Sequence, residues 1–288
     1  MLSLLRAPPR TVHVVGDVYL DMIAKIHHLP VWDSDTTIHT PIQTLAGGSA
    51  LNTAAQLTAL LRSGRKPNAA TRVRRCMLHS RLGEDINGKL VAAHIQEAGI
   101  ALSATRGGVQ GVCICLSGEH DRSFVSYKGS VSELSVDDLN HDLLFSPSAT
   151  HVHFAAYFDC AGLRGAVPEL LHRAKECGAT TSLVPQADSS GEWSSLLATL
   201  RSGKLDVLIC NQGEAAAIAG IHYAGQRPTW DETDKVAQKI LQLGVPLVLG
   251  GSTPLTTQAV DATMSKEGVM GSFLVGPNAY QPFQAMAS

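Results

Sequence analysis

The sequence predicts an α/β fold: a mainly parallel sheet with helices on both faces, accompanied by a small separate sheet. Three observations lead to this expectation. From residue 150 onward, short β-branched runs alternate with helical segments, an order that implies right-handed crossovers between parallel strands. Near the start, Val12-His13-Val14-Val15-Gly16-Asp17 is a β-branched run closed by a turn, as buried strands are. Two hairpin-like pairs, at about 22–45 and 111–130, do not fit such a sheet and form an accessory layer, a candidate lid inserted in one domain spanning 1–288.

Taken in order, the first strand delivers Asp17 to its carboxyl end, and Asp21 follows four residues later. Segments around Met22 to His28 and Thr36 to Leu45 flank the turn Pro30-Val31-Trp32-Asp33-Ser34-Asp35 and suggest the first hairpin. Helix 50–62 follows, with Ser49 as its expected cap. Next come strand 73–79, helix 87–98 closed by Gly99, and a second hairpin of strands 112–117 and 122–127. The second half reads as strand 150–155, helix 163–176, strand 180–184, a helical stretch near Trp193 to Leu200, strand 206–210, helix 211–219, helix 232–243 and strand 246–250.

With 288 residues the chain can bury a substantial core. Its net charge of −2 and 17% charged residues, with no basic block, point away from nucleic acid and from an anionic membrane, and toward small solutes. No apolar run approaches the ~20 residues of a membrane span. Six cysteines sit mostly inside apolar segments without a C-x-x-C pair, so they read as reduced thiols in a cytoplasmic protein. The opening Met1-Leu2-Ser3-Leu4-Leu5-Arg6 reads as an unstructured leader.

Two familiar phosphate-binding patterns fail. Gly83-Glu84-Asp85-Ile86-Asn87-Gly88-Lys89-Leu90 nearly spells a P-loop, but Leu90 offers no hydroxyl and two acids enter the cradle. The first strand ends with a single glycine at Gly16, which disfavours dinucleotide binding. His151-x-His153 has no third ligand at a metal-site spacing and reads as packing or hydrogen-bonded histidines.

Other signals converge. Gly47-Gly48 followed by Asn52 places bare backbone and a polar amide at a helix start, suited to hydroxyl-rich or negative ligands. Asn211-Gln212-Gly213-Glu214 fits a capping box, or a carboxylate placed to organise metal-bound water. Asp17, Gly47-Gly48, Asn211 and Gly250-Gly251 all fall at expected carboxyl ends of strands, where α/β sheets bind ligands.

In this order the motifs resemble the phosphofructokinase-B (PfkB), or ribokinase-like, carbohydrate kinases over nearly the whole chain. The matches are G-x-x-x-x-D at Gly16 to Asp21, G-G-x-x-x-N at Gly47, Gly48 and Asn52, and G-x-D-x-x-G at Gly83, Asp85 and Gly88. Lid strands from Gly111 to Ser130 follow, then N-x-x-E at Asn211 and Glu214, and a strand ending in Leu249-Gly250. The resemblance implies a three-layer α/β/α sandwich with a β-sheet lid. It implies Mg²⁺-dependent transfer of the ATP γ-phosphoryl group to a hydroxyl of a sugar or, as an alternative, a nucleoside, with a monovalent cation as a further candidate cofactor. Asp21, Gly47, Gly48 and Asn52 would hold the substrate. Asn211, Glu214 and Gly250 would serve the nucleotide, with Glu214 reaching Mg²⁺ through water. Exposed lid edges would allow a homodimer.

One part of the pattern is missing. The family's D-T-x-G-A-G-D segment, which supplies the anion hole and the aspartate base, has no counterpart, and the D-P-N-like segment is altered to Val184-Pro185-Gln186. The nearest stretch, Val260 to Glu267 with Asp261 and Glu267, has no glycines. Residues 257–283 align better with the strands that precede the signature, so the chain reads as C-terminally incomplete, with its catalytic base unassigned. A sugar-binding protein without transfer chemistry is the alternative from another class.

Overall fold

The computed structural model describes residues 10–63, 73–119, 122–186, 190–191, 193–222, 230–251, 272–276 and 279–283. The first half contains β1 (Arg10–Val15), β2 (Tyr19–Lys25), β3 (Gln43–Gly47), α1 (Ser49–Arg62), β4 (Val73–Leu82), α2 (Ile86–Glu97), β5 (Ala101–Arg106), β6 (Val112–Ser117) and β7 (Arg122–Tyr127). Two short helices, α3 (Ser130–Glu133) and α4 (His141–Leu144), lead to β8 (Ala149–Phe154). The second half contains α5 (Ala161–Arg164), α6 (Val167–Glu176), β9 (Thr180–Leu183), α7 (Ser194–Arg201), β10 (Val207–Asn211), α8 (Gln212–Ala219), α9 (Trp230–Gln242), β11 (Leu247–Gly251), β12 (Ser272–Gly276) and β13 (Ala279–Phe283).

Nine strands form one sheet in the order β13-β12-β11-β10-β9-β8-β1-β4-β5. The pairings from β11 through to β5 are parallel, and β12 and β13 add an antiparallel edge. Successive residues of β1 serve opposite faces. Val14 joins Leu78, Ala50, Ala54, Val91 and Ile95 beneath α1 and α2. Val15 joins Val152, Phe154, Leu170, Leu171, Val236 and Ile240 beneath α6 and α9. Helices therefore cover both faces, giving three layers.

The remaining strands form a second sheet in the order β3-β2-β6-β7. Both expected hairpins are present, β2 against β3 and β6 against β7, and a parallel β2–β6 pairing fuses them. The turn of the second hairpin lies partly outside the described residues.

Three local readings are corrected. Thr36 to Ile42 contributes no strand: β3 begins at Gln43, and the preceding loop leaves Trp32 98% exposed. The single helix expected over 163–176 is two, α5 and α6, because Pro168 at the start of α6 has no N–H to continue a helix from before it. Ala101 to Arg106 is a further parallel strand at the sheet edge, with no place in the sequence reading. Its alternation is blurred because most of its residues are half-buried.

Two imidazoles meet inside the sheet layer. His13 Nδ1 and His79 Nε2 are 2.8 Å apart, with both rings buried and their outer nitrogens, His13 Nε2 and His79 Nδ1, without partners among the described residues. Burial pushes His13 down to about 4, helped by Arg75, and pushes His79 down to about 3, helped by His13. The unfolded chain takes up these protons near the ordinary value of 6.5, so their contribution to stability is complete above that pH and is lost as pH falls toward 4. Scanning calorimetry from pH 7 to pH 4 should show a falling Tm, and His79→Gln should flatten that slope. An unchanged slope would remove the pair from the acid response.

Candidate functional site

The order of the large sheet reverses beside β1: the chain first moves to β4 and β5, then returns past β1 to β8. Such a switch point opens a crevice at the carboxyl ends of the two flanking strands. Here those ends are Gly16-Asp17 after β1 and Ala155 to Asp159 after β8.

Asp17 is 2% exposed and sits directly at the start of α1. Its Oδ2 accepts from Ser49 N at 2.8 Å and its Oδ1 accepts from Ala50 N at 2.8 Å. Ser49 is therefore not the cap. Gly48 holds the cap position with no side-chain bond of its own, and the carboxylate comes from 32 residues away. The first N–H groups of α1, read from sequence as an open anion site, are already taken. Burial pushes the Asp17 carboxyl up to about 6 against the pull of those two donors, and Asp159 adds to the rise. Gly48 has φ +106°, and a β-carbon there would stand 2.8 Å from Asp17 O, so the turn admits only glycine without strain.

Asp21 faces the same turn from β2. A β-carbon on Gly47 would stand 2.0 Å from Asp21 Oδ2, so the absent side chain is what lets the carboxylate lie against the backbone. Among the described residues, no hydrogen bond or ion pair holds this carboxylate, and burial alone pushes it up to about 6. Asn52 lies in the first turn of α1, exposed, and its backbone N–H donates to Gly48 O at 2.9 Å. Its side-chain amide has no hydrogen bond among the described residues. Asp21 and the start of α1, with Asn52 in its first turn, thus meet at the Gly47-Gly48 turn.

The second set of expected residues lies elsewhere on the same sheet edge. Asn211 caps α8: Oδ1 accepts from Glu214 N, and Glu214 Oε2 accepts from Asn211 N, each at 2.9 Å. The capping-box reading therefore accounts for both side chains. Burial raises the Glu214 carboxyl, and the bond from Asn211 N opposes the rise. Asn211 pairs with Gly251 and Cys210 with Gly250 across β10 and β11. Strands β1 and β10 are three places apart in the large sheet, whereas Asp21 and Gly47 stand on the small sheet and Asn52 on α1. Val260 to Glu267, with Asp261 and Glu267, lies outside the described residues.

The sequence reading missed a charged contact beside the crevice. Ala156, fully buried, has φ +54°, a conformation that costs energy for a side chain with a β-carbon and that clusters at functional sites. It turns the chain so that Asp159, three residues on, meets Lys128 Nζ at 2.8 Å. This ion pair joins the end of β7 to the loop after β8, and so joins the two sheets. Burial raises the nearby Tyr19 hydroxyl, with Asp159 next in effect. An acid inside the aromatic run Tyr157-Phe158-Asp159 was the only signal in the sequence.

The Gly83–Gly88 loop is not a phosphate cradle. Asp85 caps α2, its Oδ1 accepting from Gly88 N at 3.0 Å. His151 and His153 are held by hydroxyls rather than by metal: His151 bonds Thr180 and Ser182, and His153 bonds Ser182, all at 2.7 Å.

The profile of the pfkB family carbohydrate kinases matches residues 10–273. The chain belongs to the pfkB family of carbohydrate kinases. Solved structures of similar fold include adenosine kinase from Sinorhizobium meliloti, with TM-score 0.71 and 19% identity over 98% of this chain and 81% of that one. Arabidopsis thaliana ribokinase, solved with ribose and ATP, has TM-score 0.68 and 22% identity over 96% and 77%. Fructokinase from Xylella fastidiosa has TM-score 0.67 and 18% identity over 95% and 75%. No curated protein sequence matches the chain. These likenesses establish the ribokinase-like fold of this pfkB chain. Among the described residues, no helix is long and apolar enough to cross a membrane.

Two stability outcomes follow from the carboxylates. Asp17→Asn presents an amide to one of the α1 N–H donors and should lower stability by about 2 kcal/mol, or about 4–8 °C in Tm. Asp21→Asn should act the other way. A carboxyl near 6 in the fold and 3.8 unfolded is penalised in its charged form above pH 6, so the variant should gain on the order of 1 kcal/mol at pH 7.5 and lose the gain below pH 4. Thermal melts at both pH values check both variants.

Proposed function

We propose that this pfkB chain binds a small sugar as phosphoryl acceptor, with ATP and Mg²⁺ as donor and metal. The observation that carries the reading is the half-buried Asp21 carboxylate, which has no partner among the described residues and lies against the side-chain-free Gly47-Gly48 turn, with Asn52, whose amide has no hydrogen bond among the described residues, in the first turn of the helix that follows. A carboxylate accepts from hydroxyls, an amide both donates and accepts, and a bare turn lets a flat polyol approach the backbone. A half-buried carboxylate of this kind suits a ligand whose hydroxyls replace the water it has lost. A nucleoside offers the same ribose hydroxyls and is the alternative substrate.

Asn211, Glu214 and Gly250, on β10, α8 and β11 of the large sheet, are assigned to the nucleotide side. Among the described residues no group of three His, Cys, Asp or Glu stands ready to hold a metal ion. Glu214 still fits an indirect hold on Mg²⁺: Oε2 is committed to Asn211 N, which leaves Oε1 for a metal-bound water, and Mg²⁺ prefers oxygen donors and keeps several waters. When bound, the metal supplies charge neutralisation on the phosphates. The protein's own share is to position the acceptor hydroxyl and exclude water, with the small sheet serving as the lid. The catalytic base stays unassigned.

Two further assignments complete the proposal. On the face of the small sheet carrying Ile114, Val125 and Tyr127, these side chains are 39%, 61% and 57% exposed, and β7 is an edge strand. We assign that face to a second copy of the chain. Light scattering should report a dimer that Val125→Asp dissociates, and a monomer at all concentrations overturns it. All six cysteines are free thiols, which supports a cytoplasmic setting.

The test is sugar-dependent release of ADP from ATP and Mg²⁺ across pentoses, hexoses and nucleosides, with calorimetry of binding in parallel. Binding without turnover would favour a sugar-binding protein over a kinase, and no binding across the panel sinks both. Asn52→Ala should weaken sugar binding by about tenfold, the loss of one well-placed hydrogen bond, and leave ATP binding unchanged. Equal loss of both would overturn the division into substrate and nucleotide sides.

A further inference from the structure

The chain passes between the two sheets four times: at Gly16 to Tyr19, at Gly47-Gly48, at Gln110-Gly111 and at Lys128 to Ser130. Gln110 lies at the centre of three of these crossings and is 0% exposed. Its Oε1 accepts from Gly83 N at 3.0 Å, and its Nε2 donates to Val18 O at 2.7 Å. Its own N–H points at Asp85 Oδ1 at 3.3 Å. One residue on, Gly111 O accepts from Leu20 N at 2.9 Å, the first bond of the β2–β6 pairing. One residue back, Val109 O accepts from Ser130 N at 2.8 Å. The amide therefore ties the outgoing passage of β2 to the incoming passage of β6, and both to the loop before α2. The return from β7 is fastened one residue away.

This arrangement gives the Gly83, Asp85 and Gly88 motif a role that does not involve phosphate. A β-carbon on Gly83 would stand 2.3 Å from Gln110 N, and one on Gly88 would stand 2.0 Å from Gly83 O. Both glycines are needed for close backbone approach to the crossing. Asp85 bonds both Gly88 N and Gln110 N.

We propose that Gln110 is a positioning residue: held by the Gly83–Gly88 loop, it fixes the angle at which the small sheet, and Asp21 on it, stands against the large sheet. The side chain satisfies two buried backbone groups on different elements, with its carbonyl for Gly83 and its NH₂ for Val18. No apolar replacement serves either, and a carboxylate serves only Gly83. Losing the bonds strands Val18 O and Gly83 N, and the relief available is for the crossings to separate. The β1–β4–β8 pairings make no use of the amide and should not respond. The consequence for substrate rests on the small sheet being the lid of the proposed site, but the behaviour of the crossing can be read without any substrate.

The experiment is hydrogen–deuterium exchange on the full chain for wild type, Gln110→Leu, Gln110→Glu and a core variant, Leu144→Ala. Loss of a buried hydrogen bond should raise exchange of residues 20–25 and 112–117 by about tenfold or more in both Gln110 variants, while β1, β4 and β8 stay within about twofold of wild type. Leu144→Ala should raise exchange across the large sheet instead. Equal loosening of both sheets in the Gln110 variants, or none, would make Gln110 a packing residue and overturn the proposal. If Gln110→Leu does not fold, Gln110→Glu decides alone, and its failure to fold as well also overturns it. A wild type that binds no sugar would count against the proposed function and leave this result standing.

Discussion

The carboxylate of Asp17, seated on the first two N–H groups of α1, is the contact from which the rest of the site is laid out. It comes from the end of β1, the strand at the switch point of the large sheet, and it ends on the helix that follows the Gly47-Gly48 turn. That bond fixes where α1 begins, and with it where Asn52 stands. It also places the turn close to Asp21, because β2 leaves β1 only two residues after Asp17. A helix N-terminus normally invites an anion from solution. Here the protein supplies the anion itself, so the helix end is already occupied by Asp17.

Charge is spent unevenly around this turn. Asp17 is buried but hydrogen-bonded, whereas Asp21 is half-buried and has no partner among the described residues, and burial pushes both up to about 6. An unsatisfied buried carboxylate is a cost that the large sheet and its two apolar layers must offset. Such costs are tolerated where a ligand recovers them. The left-handed Ala156 and the Lys128–Asp159 pair lie at the same crevice, so strain and charge gather where the two sheets meet. Gln110 belongs to the same economy: it removes two orphaned backbone groups from a place where four crossings would otherwise leave several.

Much of the fold was legible because its signals are local. β-branched runs marked β1, β8, β9, β10 and β11, and Gly16-Asp17, Asn211-Gln212-Gly213 and Gly250-Gly251 marked the turns after three of them. The family motifs were legible as spacings, and they led to the right relatives. What was misread required knowledge of a distant partner. Ser49 has the chemistry of a cap and stands at the right place, but a carboxylate from β1 outcompetes a hydroxyl for the same donors. β5 lacks a clean alternation because it lies at the sheet edge, and the helix over 163–176 hid a proline that starts a second helix.

The sequence by itself determined most of the element order, the two-sheet division and the identity of the residues around the Gly47-Gly48 turn, since each depends on side chains a few positions apart. Tertiary structure alone decided how those residues are used. Asp17 reaches α1 across 32 residues and Gln110 reaches Val18 across 92. Neither contact leaves a local pattern, because each exists only once parallel strands have brought the crossings of two sheets side by side.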